Sequence, residues 1–284
     1  MGALNLVAKI TANEMIAKNH FRMQIEAQEI AALAIPGQFV MLKAQSKSYD
    51  PLVRIPLGVH QKHADGISVL YHVVGNSTEI LSQLRAGDTV EILGPLGNGF
   101  KQTLHKNSFL IAGGVGSAPL YFLAETLLQQ QKNVAVFLGA KTKDLIVGAD
   151  DFKKLGATVY IATEDGSCGE KCLVTQLLEL SFRSEDWSSR GLTAGSGKQL
   201  DLKLDTAVKP RYDKVEDIML YATGPNPMLK AVARIAREQN IPAQLLMEAY
   251  MACGIGACRG CAIETNEGYK MCCQDGPVFD VGNI

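Results

Sequence analysis

Five of the seven cysteines fall within the 21 residues from Cys253 to Cys273. Cys253, Cys258 and Cys261 stand in a C-x4-C-x2-C arrangement, and a fourth thiol follows 11 or 12 residues on, as Cys272 or Cys273. This is the plant-type [2Fe-2S] spacing, in which four thiolates hold two irons and three of the four come from one tight loop. Gly254, Gly256 and Gly260 lie between the ligands. Glycine there lets the backbone take positive φ and turn amide N–H groups toward an anionic centre. Two other readings compete. A structural zinc site usually shows two Cys-x2-Cys knuckles, and only Cys258 and Cys261 form one. Buried free thiols account for neither the spacing nor the glycines.

A second set of residues suits phosphate. Leu110 to Pro119 reads as a strand, a turn with Gly113, Gly114 and Gly116, and a helix start that tolerates Pro119 in its first turn. Unpaired amides and the positive helix end at such a turn hold a pyrophosphate, although glycine there can also serve packing alone. Tyr221 to Met228 repeats the pattern with Gly224 and Pro225. Ligands of open parallel sheets bind at the carboxyl ends of strands, so the two exits would border one crevice. Thr163-Glu164-Asp165-Gly166 is a third exit, whose Glu164 and Asp165 suit ribose hydroxyls or a solvated turn. Gly94 to Phe100 reads as a turn.

These residues need a scaffold, and the pattern implies a multidomain β plus α/β chain. From residue 4 to about 100, LVAKI, HFRMQIEA, QFVMLKA, GISVLYHVV and DTVEIL are separated by turn signals, predicting an N-terminal antiparallel β-barrel over 1–104. Strands and helices then alternate, predicting a central parallel-sheet α/β nucleotide-binding domain over 105–243. Its polar, aperiodic stretch 183–217 reads as a surface insertion. Residues 244–284 form a C-terminal [2Fe-2S] cysteine subdomain.

With 284 residues, 47% hydrophobic, 20% charged and a net charge of −1, the chain has the composition of a soluble globular protein and no field to attract nucleic acid or an anionic membrane. The N-terminal stretch lacks an apolar signal-peptide core, no run approaches 18 apolar residues, and no myristoylation pattern follows Gly2. A cytoplasmic protein is expected, with thiols that serve a metal rather than disulfides.

At these motifs the chain resembles the electron-transfer subunits of two-subunit, NAD-linked dihydroorotate dehydrogenases, a branch of the ferredoxin-NADP reductase superfamily. DPLVRIPLGV, LYHVVGNSTEIL, LGPLGNGF, GGVGSAP, EDGSCGEKCLVTQLL, TGPNPMLKAV, MACGIGACRGC and CQDGPVF occur in the family's order and span nearly the whole chain outside 183–217. The resemblance implies that Cys273, two residues before the D-G-P-V-F run, is the fourth ligand beside Cys253, Cys258 and Cys261. It implies FAD on the barrel at Arg54, Pro56, Leu57, Gly58, Leu70, Tyr71, His72, Ser77 and Thr78. NAD(H) is implied at Gly113, Gly114, Gly116, Pro119, Glu164, Asp165, Gly224 and Pro225, with Thr223 near the reacting nicotinamide. The partner would be an FMN-containing dihydroorotate dehydrogenase catalytic subunit in a heterotetramer of two of each. Electrons would pass from its FMN through [2Fe-2S] and FAD to NAD+ in pyrimidine biosynthesis.

The sequence departs from the family where an Arg-Arg-Pro-Ile-Ser flavin motif becomes Arg54-Ile55-Pro56-Leu57-Gly58, where Thr223 replaces a cysteine, and in the insertion. These departures motivate two alternatives: an NAD(P)H-dependent iron–sulfur flavoprotein reductase serving another acceptor, and a non-catalytic redox-sensing module.

Overall fold

A computed structural model of the chain describes residues 2–44, 51–182, 192–193, 199–200 and 217–284. Most of the expected insertion lies outside them.

The N-terminal part comprises β1 (Leu4–Ala17), β2 (His20–Glu26), α1 (Gln28–Leu33), β3 (Phe39–Ala44), β4 (Ile55–Lys62), β5 (Gly66–His72), α2 (Asn76–Gln83) and β6 (Thr89–Leu96). Its six strands close into a barrel in the order β1-β2-β5-β4-β3-β6, antiparallel throughout. Alternation drives closure: every second residue of β6, from Val90 to Leu96, is buried. Ile10, Met23, Ile25, Val40, Leu42, Val59, Ile67, Val69 and Ile92 fill the interior with them. The barrel agrees with expectation but holds one strand more than the five apolar runs suggested. β4 carries Pro56 and Gly58, residues that ordinarily demote a run from strand status.

The second part comprises β7 (Asn107–Gly113), α3 (Ser117–Gln129), β8 (Asn133–Ala140), α4 (Ala149–Leu155), β9 (Thr158–Thr163) and α5 (Val174–Phe182). The short strands β10 (Leu192–Thr193) and β11 (Gln199–Leu200) pair with each other. There follow β12 (Ile218–Thr223), α6 (Asn226–Glu238), β13 (Ala243–Leu246), the hairpin β14 (Ala262–Thr265) and β15 (Gly268–Met271), and β16 (Val278–Asp280). The six-stranded sheet has the order β16-β13-β12-β7-β8-β9, parallel except for β16. Its strands are near-continuous apolar runs because helices cover both faces; all six residues of β12 are buried.

Two topological facts position the candidate site. The chain leaves β7 for β8 on one side while β12 lies on the other, so the gap between β7 and β12 is the switch point at which such sheets bind ligands. The cysteine segment departs after β13 and returns as β16, with Leu245 paired to Phe279. Both ends of that segment are therefore anchored in the α/β sheet. Among the described residues no helix is long and apolar enough to cross a membrane.

Candidate functional site

The cysteine loop is seated on the barrel. Phe39 and Met41 of β3 and Leu96 of β6 form one apolar cluster with Cys261, Cys272 and Cys273. Gly254 has φ +74°, and a Cβ there would stand 2.6 Å from Met41 Cγ, so this close approach requires glycine. Four amides then turn inward. Gly256 N–H donates to Cys273 Sγ at 3.1 Å, Cys258 N–H to Cys253 Sγ at 3.4 Å, Gly260 N–H to Cys258 Sγ at 3.5 Å and Cys273 N–H to Cys261 Sγ at 3.4 Å. These bonds tie Cys258 to Cys253 and Cys273 to Cys261. Among the described residues no three His, Cys, Asp or Glu gather as a single ion would need. Two thiol pairs within an amide nest suit instead a two-iron centre with two thiolates per iron. Cys272 is turned away. It is fully buried, its thiol donates to the Met247 carbonyl at 3.2 Å, and burial beside Cys261 and Cys273 pushes it up to about 12.

The turn at Gly94 to Phe100 has a further role that composition did not reveal. Asn98 Nδ2 donates to the carbonyls of Gln274 and Asp275 at 3.1 and 3.0 Å, and its N–H donates to Gly276 O. Gly97, at φ +74°, leaves room for Pro277, whose Cδ would lie 2.5 Å from a Cβ at that position. The turn at Gly94 to Phe100 thereby clasps the segment that directly follows Cys273. An asparagine between two glycines was the available signal.

At the switch point the two Gly-rich exits lie backbone against backbone, with Ala112 paired to Thr223. A Cβ on Gly116 would meet the Thr223 carbonyl oxygen at 2.5 Å, and one on Gly113 would meet Pro225 Cδ at 2.8 Å. These glycines thus serve turn-to-turn packing. Gly114, at φ +57° with nothing within 4 Å of its Cβ direction, faces open space. Thr223 is fully buried and its Oγ1 has no hydrogen-bond partner; Ser117 Oγ is buried and unpartnered too. Native folds pair nearly all such atoms, so two orphaned hydroxyls beside the crevice fit a ligand that supplies the missing partners. At the third exit Ser167 donates to Asp165 through Oγ at 2.6 Å and N–H at 2.9 Å, which holds the carboxyl below its ordinary range and ties it into its own turn. Glu164 is left exposed.

On the barrel, Arg54 donates to Glu91 Oε2 at 3.0 Å and to Asn5 Oδ1 at 3.1 Å, engaging its guanidinium with β6 and β1. Pro56 and Leu57 are half-buried on β4, and a Cβ on Gly58 would stand 3.4 Å from Pro119 Cβ. The structure thereby joins a residue of the flavin motif to one of the nucleotide turn. Leu70 packs with Ala118 and Val147. Tyr71 points into the barrel core, its hydroxyl donating to Asn13 Oδ1 at 3.2 Å, so only its backbone faces outward. His72 stacks on His20 with centroids 4.4 Å apart. Thr78 Oγ1 accepts from the amides of Val74 and Gly75 and donates to Gly75 O, bracing the entry to α2. Ser77 lies half-buried in the first turn of α2.

Residues 248–284 match the family model described as the iron-sulfur cluster binding domain of dihydroorotate dehydrogenase B. Over 279 residues the chain is 36% identical to the dihydroorotate dehydrogenase B (NAD(+)) electron transfer subunit of Desulforamulus reducens, covering 96% of this chain and 95% of that protein. The chain belongs to this family. The same subunit from Geobacillus kaustophilus is 34% identical over 283 residues, covering 97% and 96%. Among solved structures, a chain of an NADH-dependent reduced ferredoxin-NADP oxidoreductase superposes with a TM-score of 0.78 at 29% identity, covering 97% of this chain and 88% of that one. A ferredoxin NADP+ reductase from Neisseria gonorrhoeae shares the fold at 15% identity, with a TM-score of 0.60 and coverage of 83% and 91%.

The flavin motif is where the chain departs from the pattern expected of dihydroorotate dehydrogenase B electron transfer subunits. Ile55, which stands where an arginine is expected, is half-buried and packs against the barrel core. Arg54, the preceding residue, is ion-paired with Glu91. His60, which no motif singled out, is buried at the seam between barrel and sheet.

Proposed function

We propose that this chain relays electrons from the FMN of a dihydroorotate dehydrogenase catalytic subunit to NAD+, as half of a cytoplasmic heterotetramer of two copies of each subunit. One observation carries the reading. The amide nest around Cys253, Cys258, Cys261 and Cys273 is packed directly on β3 and β6 of the barrel, whose β4 in turn touches the helix that opens the nucleotide crevice. These contacts support a division into three adjoining binding regions: a barrel over 1–104, an α/β unit over 105–243 and a cysteine unit over 244–284.

When bound, [2Fe-2S], FAD and NAD(H) supply the one-electron and hydride chemistry. The chain's own residues bind and orient them. Cys253 with Cys258, and Cys261 with Cys273, supply the thiolates, and the four amides that address these sulfurs offset negative charge. Exposed Cys258 and Ile255 place one side of that centre at the surface, where a partner subunit can approach. On the barrel, Pro56, Leu57 and Gly58 of β4, with Leu70, His72 and the Tyr71 backbone of the adjacent β5, would hold FAD. Ser77 and the first-turn amides of α2 receive phosphate, with Thr78 bracing that turn. Gly113, Gly114, Gly116 and Pro119 shape the nucleotide turn, Glu164 reaches the ribose, and Gly224 and Pro225 close the opposite wall. The Thr223 and Ser117 hydroxyls offer hydrogen bonds near the nicotinamide.

The test is anaerobic co-purification of the tagged full-length chain from its native cells. The expected product holds about two irons and two sulfides per chain, as a four-cysteine cluster requires, with FAD and a dihydroorotate-oxidising partner. One zinc without acid-labile sulfide contradicts it. The 29% identity to the ferredoxin-NADP oxidoreductase chain supports a second reading, a reductase serving another acceptor. A co-purifying partner that does not oxidise dihydroorotate would favour that reading.

A further inference from the structure

The seam between the barrel and the α/β sheet is made largely by β4 and α3. Gly58 lies against Pro119, His60 Nδ1 is 2.8 Å from the Ala118 carbonyl oxygen, and Gln61 Nε2 donates to Glu125 Oε1 at 3.2 Å. The middle contact alone is fully buried, with His60 3% exposed and its ring 4.7 Å from that of Tyr121. Because its partner is a carbonyl, Nδ1 carries the proton and donates. The groups facing this imidazole are Arg22, which pairs with Asp151 across the seam at 3.7 Å, and His63.

The two ends of the bond matter. Ala118 is the second residue of α3, two positions after Gly116, so the carbonyl held by His60 belongs to the turn whose amides open onto the crevice. His60 lies two positions after Gly58, on the strand that carries the flavin motif. Among the described residues, no other buried side-chain hydrogen bond joins that strand to that turn.

We propose that His60 is a positioning residue whose Nδ1–H bond to the Ala118 carbonyl fixes the nucleotide turn against the flavin-bearing strand and thereby aligns nicotinamide with flavin. The inference rests on the proposed reading that FAD lies on the barrel and NAD(H) at the switch point. Transfer of a hydride between two separately held rings is sensitive to their registry, and misplacement by about 1 Å costs on the order of a hundredfold in rate.

The test compares His60→Asn, His60→Gln and His60→Leu in the holoprotein, with FAD and iron contents measured first. Asparagine presents an N–H close to the position of Nδ1, glutamine presents it one bond farther out, and leucine presents none. Two readouts are taken under anaerobic conditions: the rate of flavin bleaching by NADH, and the long-wavelength charge-transfer absorbance formed when NAD+ is added to reduced protein. The inference expects His60→Asn within about threefold of wild type, with the absorbance retained. It expects His60→Gln and His60→Leu to slow by about tenfold or more and lose the absorbance while keeping FAD. If the leucine variant fails to load cofactors, the asparagine and glutamine pair decides. Equal behaviour of the asparagine and glutamine variants, whether both intact or both impaired, overturns the positioning role. A wild-type protein whose loaded flavin NADH cannot bleach overturns the underlying reading instead, and the inference with it.

Discussion

The Gly256 amide donates to the Cys273 sulfur at 3.1 Å, whereas the adjacent Cys272 thiol points the other way, toward the Met247 carbonyl. Adjacent residues cannot both turn into the same nest, and this relationship separates their roles. Cys273→Ala is expected to reduce iron from about two per chain to a small fraction of that, since a two-iron cluster needs all four thiolates. Cys272→Ala is expected to keep its iron and lose about 1–2 kcal/mol of stability, from one weak hydrogen bond and a small cavity. Iron and sulfide analysis of both variants checks this.

Gly116 is held beneath the Thr223 carbonyl, and a methyl group at 2.5 Å from that oxygen cannot be relieved by rotating a side chain. The two exits must part. Gly116→Ala is expected to raise the KM for NADH by about tenfold or more, equivalent to at least about 1.4 kcal/mol of displaced turn, within the usual range for overpacking. Cluster content should not change, because the cysteine nest does not touch this turn. Steady-state kinetics with an artificial electron acceptor is the measurement.

The orphaned Thr223 hydroxyl predicts opposite effects on stability and function. Thr223→Val keeps the shape and removes a buried polar atom that has no partner, which is expected to stabilise the unliganded fold by about 1 kcal/mol. Reduction of the bound flavin by NADH should slow in the same protein. Thermal denaturation and rapid-reaction kinetics on one preparation test both halves, and a destabilised, fully active variant contradicts the assignment.

Gly58 departs from the family's serine, yet the space beside it is not closed. A Cβ would make ordinary contact with Pro119 at 3.4 Å. Gly58→Ser is therefore expected to fold normally, within about 0.5 kcal/mol of wild type, as most substitutions without a clash do. Its added hydroxyl offers the flavin a hydrogen bond, so FAD retention during dialysis should rise.

His60 makes stability depend on pH. Burial, opposed by its bond to Ala118 and aided by Arg22, lowers its pKa from 6.5 to about 4. Well above pH 6.5 the imidazole is neutral in folded and unfolded chains alike. As pH falls from 6.5 toward 4, the unfolded chain takes up a proton that the native chain refuses, and stability declines by up to about 3 kcal/mol. His60→Asn should remove that part of the slope. The difference between the two proteins' denaturation midpoints across this window isolates the histidine from carboxylates common to both.

The cysteine centre was legible because its chemistry fixes both residue type and spacing, and glycines between the ligands reported the backbone turns. The alternation of strand and helix after residue 105 announced the α/β sheet for similarly local reasons. What the sequence withheld is long-range. β4 was hidden by Pro56 and Gly58, which a barrel wall tolerates once Phe39 and Met41 pair with Gly58 and Pro56 across β3. Asn98 read as a turn residue, since nothing local shows that its amide reaches Gln274 and Asp275. His60 lies among ordinary strand residues, and its acceptor is 58 positions away. The glycines at 113 and 116 drew attention as phosphate residues, while the structure shows them chiefly permitting two turns to touch.

As an electron-transfer subunit, this chain would carry electrons from dihydroorotate to NAD+. The most direct measurement is dihydroorotate-dependent formation of NADH by the anaerobically purified complex of this chain with its native partner, alongside the partner alone. NADH formation by the complex and none by the partner alone is expected. A loaded complex, with cluster and FAD present, that oxidises dihydroorotate with a dye but forms no NADH would contradict it.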